Sequence, residues 1–207
     1  MIQAINVSKI FESKKILDDI SLEVRNEFIG VVGSTGIGKS ILLKIIAGLI
    51  KPSSGKVMID QGQTTGFVFQ HSALFDSMSV EQNIRLPLEE SSSFSKKEID
   101  AKVKEISELL YIPKQMLKQN CNDLSGGERK IVAIARAVIY DPTYLLYDEP
   151  TTGLDSVMHN KICQIVKGLN KPGILVTHNK DTVKAVGIKI VYVLDAGKLN
   201  LTKELYE

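Results

Sequence analysis

The start of the chain alternates between apolar and polar positions. Ile20, Leu22 and Val24 are separated by single polar residues, which is the period of a strand buried on one face. A similar mixed pattern occurs a short distance upstream, over Ile2–Val7. We therefore predict an antiparallel pair of strands at Ile2–Val7 and Ile16–Val24.

Three later segments are almost entirely apolar. They are Phe28–Val32, Tyr144–Tyr147 and Ile174–Thr177, and such short runs are typical of strands that are covered on both faces. Each precedes a segment with helical spacing, and the first of these helices is predicted over Ile41–Leu49, ending near Pro52. Strands that alternate with helices favour an α/β fold with a mixed, mainly parallel sheet.

The middle of the chain, 71–123, has a different pattern. No apolar run there indicates a buried strand, whereas Ser95 and Glu98 have the spacing of a capping box at a helix start. Ile99, Val103 and later apolar residues then recur on one helical face. This region is predicted to be helical.

These patterns define the predicted domain organisation. The length of 207 residues is closer to one domain of about 150 than to two, so we expect a single domain over 1–207. Its α/β core consists of 1–70 and 124–207, and an α-helical subdomain, 71–123, is inserted into it. The first strands add an N-terminal antiparallel β subdomain.

The charged residues are nearly balanced. Lys and Arg together number 26 and Asp and Glu number 24, which gives a net charge of +2. Sequence-independent binding to DNA or RNA depends on a strong positive field, which so small a charge does not provide. We therefore predict that nucleic acid is not a partner.

Composition also bears on where the protein works. The most apolar stretches, Ile41–Ile50 and Ile131–Tyr140, are short and each contains a charged residue, so neither is expected to cross a bilayer. The first residues lack the basic and apolar segments of a secretory signal. Cys121 and Cys163 have no spacing typical of a zinc site or a disulfide framework. These features predict a cytoplasmic protein.

One glycine-rich segment has a specific chemical meaning. Gly33–Ser40 fits the phosphate-loop pattern G-x-x-x-x-G-K-[ST] and lies between a predicted strand and a predicted helix. Its glycines let successive N–H groups turn toward one point, where the helix start adds positive potential. A polyphosphate fits this cradle, with Lys39 expected at its β- and γ-phosphates and Ser40 on Mg²⁺. The predicted nucleotide-binding residues here are Gly33, Ser34, Thr35, Gly36, Ile37, Gly38, Lys39, Ser40 and Ile41.

A later strand ends in the carboxylates that this chemistry needs. Tyr144–Tyr147 is followed directly by Asp148 and Glu149. Asp148 is expected to hold the Mg²⁺ shell, and Glu149 to accept a proton from the attacking water. The alternative, an aspartate that only caps a helix, has less support beside a phosphate loop.

A second helix start also offers an anion site. Leu124–Glu128 reads L-S-G-G-E and precedes a helix predicted over Arg129–Tyr140. With this segment the sequence resembles the ATP-binding-cassette (ABC) ATPases, from about Ile5 to Lys198. The motifs behind the resemblance occur in family order: the phosphate loop, Gln70, L-S-G-G-E, Asp148-Glu149, Gly153-Leu154-Asp155 and His178.

The resemblance implies a P-loop NTPase core and a head-to-tail homodimer on ATP binding. In this family the L-S-G-G-E of one chain closes over the nucleotide held by the other. Ser125, Gly126 and Gly127 are therefore implied to contact ATP bound by a second copy. Asp155 is implied to connect the two sites across the interface.

Three further roles also rest on the resemblance. Gln70 is implied to sense Mg²⁺ and the attacking water, and His178 to stabilise the γ-phosphate. Phe11 occupies the place where the family usually stacks adenine on a tyrosine. A phenylalanine that only fills the core is the alternative at this position.

Two classes of function remain open at this point. The first is the motor of a membrane transporter, held at the inner face of the cell membrane by separate transmembrane permease subunits. The second is a soluble ABC ATPase, such as an iron–sulfur assembly ATPase. A third class, the small P-loop kinases, does not explain the L-S-G-G-E segment.

Two segments favour different groups of transporters. Ala73–Leu88 is similar to the ATPases of Mla-type phospholipid transporters, and it lies where the family meets its membrane partner. Leu124–Ala137 is closer to lipoprotein-release and macrolide-type exporters. We give more weight to the first segment and expect a lipid substrate, with those exporters as the alternative.

Overall fold

Strands and helices alternate along most of the chain, as the apolar runs predict. The computed structural model describes residues 1–91 and 93–202. Within them the strands are β1 (Ile2–Phe11), β2 (Lys14–Val24), β3 (Phe28–Val32), β4 (Ser54–Ile59), β5 (Thr65–Val68), β6 (Tyr144–Asp148), β7 (Gly173–Thr177), β8 (Ile190–Asp195) and β9 (Lys198–Thr202). The helices are α1 (Lys39–Ile46), α2 (Val80–Glu89), α3 (Lys96–Leu109), α4 (Gly126–Val138), α5 (Ser156–Leu169) and α6 (Lys180–Val186).

The central sheet has the order β5-β6-β7-β3-β8-β9. Its first five strands are parallel and β9 runs antiparallel to β8, so the predicted α/β fold with a mixed, mainly parallel sheet is confirmed. The register pairs Val32 with Thr177 and Asp148 with Val176. The carboxyl ends of β3, β6 and β7 therefore meet at one edge, where open α/β sheets bind ligands.

A second sheet contains β2, β1 and β4, all antiparallel. The β1–β2 hairpin agrees with the alternating pattern at the start of the chain. β4 follows a mostly polar segment and becomes a strand by pairing with β1, where Ile2 faces Ile59. Because its side chains are largely exposed, its sequence has little of the buried-strand signal.

Two hydrophobic clusters lie on opposite faces of the central sheet. One contains Leu17, Val31 and Leu43, and so joins the antiparallel sheet, the central sheet and α1. The other contains Ile84, Val132 and further residues of α2 to α6. Helices on both faces explain why β3, β6 and β7 are apolar throughout.

The segment between 71 and 123 contains α2 and α3, followed by short 3₁₀ turns at Met116–Lys118 and Cys121–Asp123. The capping box expected at Ser95 and Glu98 is present at the start of α3. α2 and α3 share a hydrophobic cluster with α4. The division of the chain into a core and an inserted helical subdomain stays a prediction.

Two helices begin earlier than the spacing of their apolar residues predicts. α1 begins at Lys39 rather than Ile41 and ends at Ile46, shortly before Gly48, whose φ is +74°. α4 begins at Gly126 rather than Arg129 because the Ser125 side chain caps it. Glycine is a poor helix former, but at a capped start it can be accommodated in the first turn.

Candidate active site

The loop between β3 and α1 is tightly wrapped. A Cβ on Gly33 would lie 2.5 Å from a backbone oxygen of β8, and Gly38 has a φ of +116°, so glycine is required at both positions. The Nζ of Lys39 donates to the carbonyl oxygens of Gly33 at 2.9 Å and Ser34 at 3.0 Å. The lysine therefore lies back over the loop and is only 4% exposed.

The start of α1 is open to an anion. Its N-cap residue is Gly38, so no side chain accepts a hydrogen bond from the first N–H groups, and no acidic residue lies in the first turn. Uncapped N–H groups and the helix dipole together favour a phosphate at this position.

Asp148 lies at the end of β6, beside the first turn of α1. The Ser40 hydroxyl donates to its Oδ1 at 2.6 Å. Burial raises the pKa of the Asp148 carboxyl, and the hydrogen bond from Ser40 only partly offsets this. Two of the three residues predicted to hold Mg²⁺, Ser40 and Asp148, are therefore in direct contact.

The carboxylate of Glu149 is enclosed by polar groups. Its Oε1 lies 3.3 Å from the Nζ of Lys39. Its Oε2 accepts from the hydroxyls of Thr152 at 3.0 Å and Thr177 at 3.1 Å and lies 2.9 Å from Nδ1 of His178. Burial alone would raise the pKa of Glu149, but His178 and Lys39 outweigh it and hold the pKa below its ordinary value. Glu149 is thus ionised at neutral pH.

Lys39, Ser40, Glu149 and Thr152 line one cleft of about 390 Å³. Gln70, which follows β5, reaches it, and so does His178 at the end of β7. The cleft is lined by Thr35, Gly36, Gly38, Lys39, Ser40, Ile41, Gln70, Glu149, Thr152 and His178. The fold thus brings together residues that the sequence places in four separate segments.

Nine other predicted residues lie outside the lining of this cleft. Gly33, Ser34 and Ile37 belong to the phosphate loop itself, and Asp148 contacts Ser40 beside it. The remaining five belong to other segments. Phe11 ends β1, is 43% exposed, and has Lys9 Nζ 4.8 Å from its ring centroid. The other four lie at helix starts and are Ser125, Gly126, Gly127 and Asp155. Asp155 caps α5, and a Cβ on Gly127 would lie 2.2 Å from the side chain of Met158, so two of the four also have a structural role in the single chain.

Three residues at the site were missed by sequence reasoning. Thr152 follows a predicted strand, Thr177 ends another, and both donate to Glu149. Threonines are common at such positions, so these two had no distinguishing signal in the sequence. Lys130 is buried in α4, and burial lowers its pKa to about 8 against the opposing effect of Asp148 and Glu149. Its position one helical turn before the buried Ile134 was the available signal, because it places a charged residue on an apolar helix face.

The sheet order, the phosphate loop and the two carboxylates at the end of β6 define a P-loop nucleotide-binding protein of the α/β class. Residues 17–152 match the family model described as ABC transporter. The chain belongs to the ABC transporter family.

Curated relatives and solved structures agree with this assignment. The chain is 36% identical to the molybdate/tungstate import ATP-binding protein WtpC of Methanocaldococcus jannaschii, covering 92% of this chain and 66% of that protein. It is 37% identical to the methionine import ATP-binding protein MetN of Haemophilus influenzae, covering 96% and 64%. The chain therefore spans about two thirds of the length of these relatives.

The fold is also similar to a dimeric, post-hydrolysis structure of the ATP-binding cassette MJ0796 bound to ADP and Pi. The TM-score is 0.88 at 30% sequence identity, and the match covers 98% of each chain. Two independent comparisons, one of sequence and one of structure, thus lead to the same family.

Proposed function

We propose that this chain is the ATP-binding and ATP-hydrolysing subunit of an ABC transporter and that it works as a head-to-tail homodimer. The main support is the single cleft in which the phosphate loop, Gln70, Glu149 and His178 meet. Membership of the ABC transporter family agrees with the proposal, and the similar solved cassette is a dimer bound to ADP and Pi.

ATP binding begins with the phosphate loop. The uncapped N–H groups at the start of α1 donate hydrogen bonds to the phosphate oxygens. Lys39 exchanges the carbonyl oxygens of Gly33 and Ser34 for phosphate, which forms a stronger, charge-assisted contact. The same movement takes Lys39 away from Glu149 and leaves Oε1 of that carboxylate free to bind water.

The donor set beside α1 fits Mg²⁺. A hydroxyl oxygen from Ser40 and a carboxylate oxygen from Asp148 lie 2.6 Å apart, and Mg²⁺ prefers such oxygen ligands together with substrate phosphates. The amide of Gln70, ATP and water would supply the remaining ligands of the ion. When bound there, Mg²⁺ would neutralise charge on the phosphates.

Glu149 acts on the attacking water. Its ionised carboxylate takes a proton as the water oxygen bonds to the γ-phosphorus, and the bond from that phosphorus to the bridging oxygen breaks, leaving ADP and phosphate. His178 donates through Nδ1 to Glu149, and with both ring nitrogens protonated its Nε2 also donates to the γ-phosphate. Gln70 orients the water from the loop that follows β5.

A second copy supplies the residues that lie outside the cleft. Ser125, Gly126 and Asp155 are exposed at helix starts, and Gly127 is packed beside them against α5. In the proposed dimer these groups close over ATP bound by the other chain. Phe11 is proposed to stack on the adenine, since its ring is exposed at the tip of the first hairpin.

A more apolar cleft of about 580 Å³ lies between α2, α4 and β5. Phe75, Leu86, Pro87 and Tyr140 line it, and Phe75 is 51% exposed. We propose that a cytoplasmic segment of a transmembrane permease subunit occupies this cleft, because it includes residues of the 73–88 segment. In the described part of the chain no helix is long and apolar enough to cross a bilayer, so the permease would hold this subunit at the membrane.

The transported molecule stays a prediction. The relatives above are named for molybdate or tungstate and for methionine, and these names belong to those proteins. A lipid cargo is expected from the 73–88 segment alone. Mass spectrometry of lipids that co-purify with the assembled transporter tests it, and a complex that binds no lipid would contradict it.

The ATPase proposal is tested by Glu149→Gln. We expect kcat for ATP hydrolysis to fall about a thousandfold, because the amide cannot take a proton, while ATP still binds and drives dimerisation. Light scattering with and without ATP measures the dimer. Glu105→Gln, an exposed glutamate on α3, is the matched control, and an unchanged rate in Glu149→Gln would remove Glu149 from its role.

The transporter proposal is tested by what the chain binds in cells. Purification from detergent-solubilised membranes should recover a multi-span permease with it. Recovery of only soluble scaffold proteins would contradict the transporter and favour an assembly ATPase.

A further inference from the structure

Helix α4 places a lysine beneath the cleft. Lys130 is 5% exposed, and its Nζ donates to the backbone oxygen of Gln70 and, at 3.4 Å, to that of Glu149. The side chains of both acceptor residues line the cleft. One buried ammonium therefore joins the end of β6 to the loop that follows β5.

Both segments that Lys130 joins contain residues with an uncommon backbone conformation. Glu149 has a φ of +49°, and Ser72 and Ala73, in the loop after β5, have φ of +60° and +47°. Such conformations cost energy in residues other than glycine and persist where the surrounding contacts hold them. Glu149 receives such a contact from Lys130. Arg136, farther along α4, donates to the carbonyl oxygens of Ser72 at 3.1 Å and Ala73 at 2.8 Å.

Both cations belong to the helix that begins with the L-S-G-G-E segment. Lys130 lies little more than one turn from Ser125 at the helix start. A shift of α4 would therefore move the backbone of Gln70 and Glu149 together, because the helix, the ammonium and the two carbonyl groups form one connected set.

We propose that Lys130 is a positioning residue for ATP hydrolysis, which holds Gln70 and Glu149 at the spacing at which both act on the attacking water. The inference rests on the proposed function, since it concerns the same cleft. Lys130 itself contacts neither ATP nor water in this assignment. Its effect is on kcat, with ATP binding left to the phosphate loop.

The test compares two substitutions of equal side-chain length. Lys130→Met removes the ammonium, and Lys130→Gln keeps an N–H donor that can reach one carbonyl. We expect kcat to fall about tenfold in Lys130→Met and about threefold in Lys130→Gln, with the Kd for ATP within about twofold of wild type in both.

Wild-type kcat in Lys130→Met would overturn the proposal, and so would equal losses in the two variants. Thermal melting checks that each variant is folded. If Lys130→Met does not fold, Lys130→Gln alone decides: a reduced kcat at unchanged ATP affinity supports the proposal and wild-type kcat overturns it.

A double-mutant cycle with Gln70→Ala separates positioning from general stabilisation. Gln70→Ala removes the side chain but leaves the carbonyl group that Lys130 binds. If Lys130 acts by placing the Gln70 side chain, Lys130→Met should cost less in that background, about threefold instead of tenfold. Additive losses would overturn the link to Gln70.

The wild-type protein distinguishes this inference from the proposed function. A wild type that neither binds nor hydrolyses ATP overturns both. A wild type that hydrolyses ATP, together with a Lys130→Met variant of equal kcat, overturns only the role of Lys130.

Discussion

Two helix starts contain glycines, but they differ in how their N–H groups are satisfied. α1 follows Gly38 and has no side-chain cap and no acid in its first turn. α4 follows Ser125, whose hydroxyl accepts from the N–H of Glu128 at 3.4 Å. The carboxylate of Glu128 in turn accepts from the N–H and hydroxyl of Ser125 at 2.9 and 2.6 Å. The first start is open and the second is closed by its own capping box.

This difference separates two binding events. We propose that the open start binds phosphate within a single chain, because no side chain caps its donors. At α4 the Ser125 hydroxyl is already paired and a negative charge lies beside it, so phosphate binds there only when other contacts add to its affinity. We infer that ATP binds the phosphate loop first and that α4 joins on dimerisation.

Lys39→Ala should have the largest effect at the open start. We expect ATP affinity of the single chain to fall about a hundredfold, since a charge-assisted contact to phosphate is lost. Calorimetry measures it. Lys51→Ala, an exposed lysine after α1, is the control, and equal affinity in Lys39→Ala and wild type would contradict the phosphate-loop assignment.

Ser125→Ala should act only at the closed start. In the Glu149→Gln background we expect ATP-driven dimerisation to weaken about tenfold, with ATP affinity of the single chain unchanged, because one hydroxyl contact to phosphate is lost. Loss of the cap also costs about 1 kcal/mol of stability. Ser95→Ala removes the equivalent capping box from α3, so an equal loss of dimer in Ser95→Ala would refute a specific role of Ser125.

Glu128→Gln should make the closed start more like the open one. The amide oxygen still accepts from Ser125, but the charge that repels phosphate is gone. We expect ATP-driven dimerisation in the Glu149→Gln background to tighten about threefold, as measured by sedimentation. Glu98→Gln at the start of α3 is the control. A weaker dimer in Glu128→Gln would show that the carboxylate helps binding.

The smallest effect concerns pH and the stability of α4. Hydrogen bonds from Ser125 hold the pKa of Glu128 below its ordinary value of 4.5. A carboxyl whose pKa is lower in the folded state stabilises the fold above its unfolded pKa, and this contribution is lost as the pH falls through the folded pKa. The Tm advantage of wild type over Glu128→Gln should therefore shrink below about pH 4.5. Circular dichroism melts measure it, and a constant difference would contradict it.

The buried strands β3, β6 and β7 and the phosphate loop were predictable because their signals are local. β3 has the predicted bounds, Phe28–Val32, since an uninterrupted apolar run between turn residues leaves little choice. β4 was not predictable, because its pairing partner, β1, lies far back in the chain. α1 and α4 begin earlier than predicted because Gly38 and Ser125 take cap conformations. The spacing of apolar residues does not detect such caps.

The sequence by itself determined the parts of the site that are contiguous. They are the G-x-x-x-x-G-K-S loop and the adjacent Asp148 and Glu149, because each depends on neighbours within a few residues. Only the tertiary structure decided which of these parts meet. Ser40 and Asp148 are 108 positions apart, and they touch because the sheet order sets the end of β6 beside α1. Lys130 contacts the backbone of Gln70 and Glu149 for the same reason. Hydrogen bonds between residues far apart in the sequence depend on strand order and helix packing, and a local sequence pattern does not predict either.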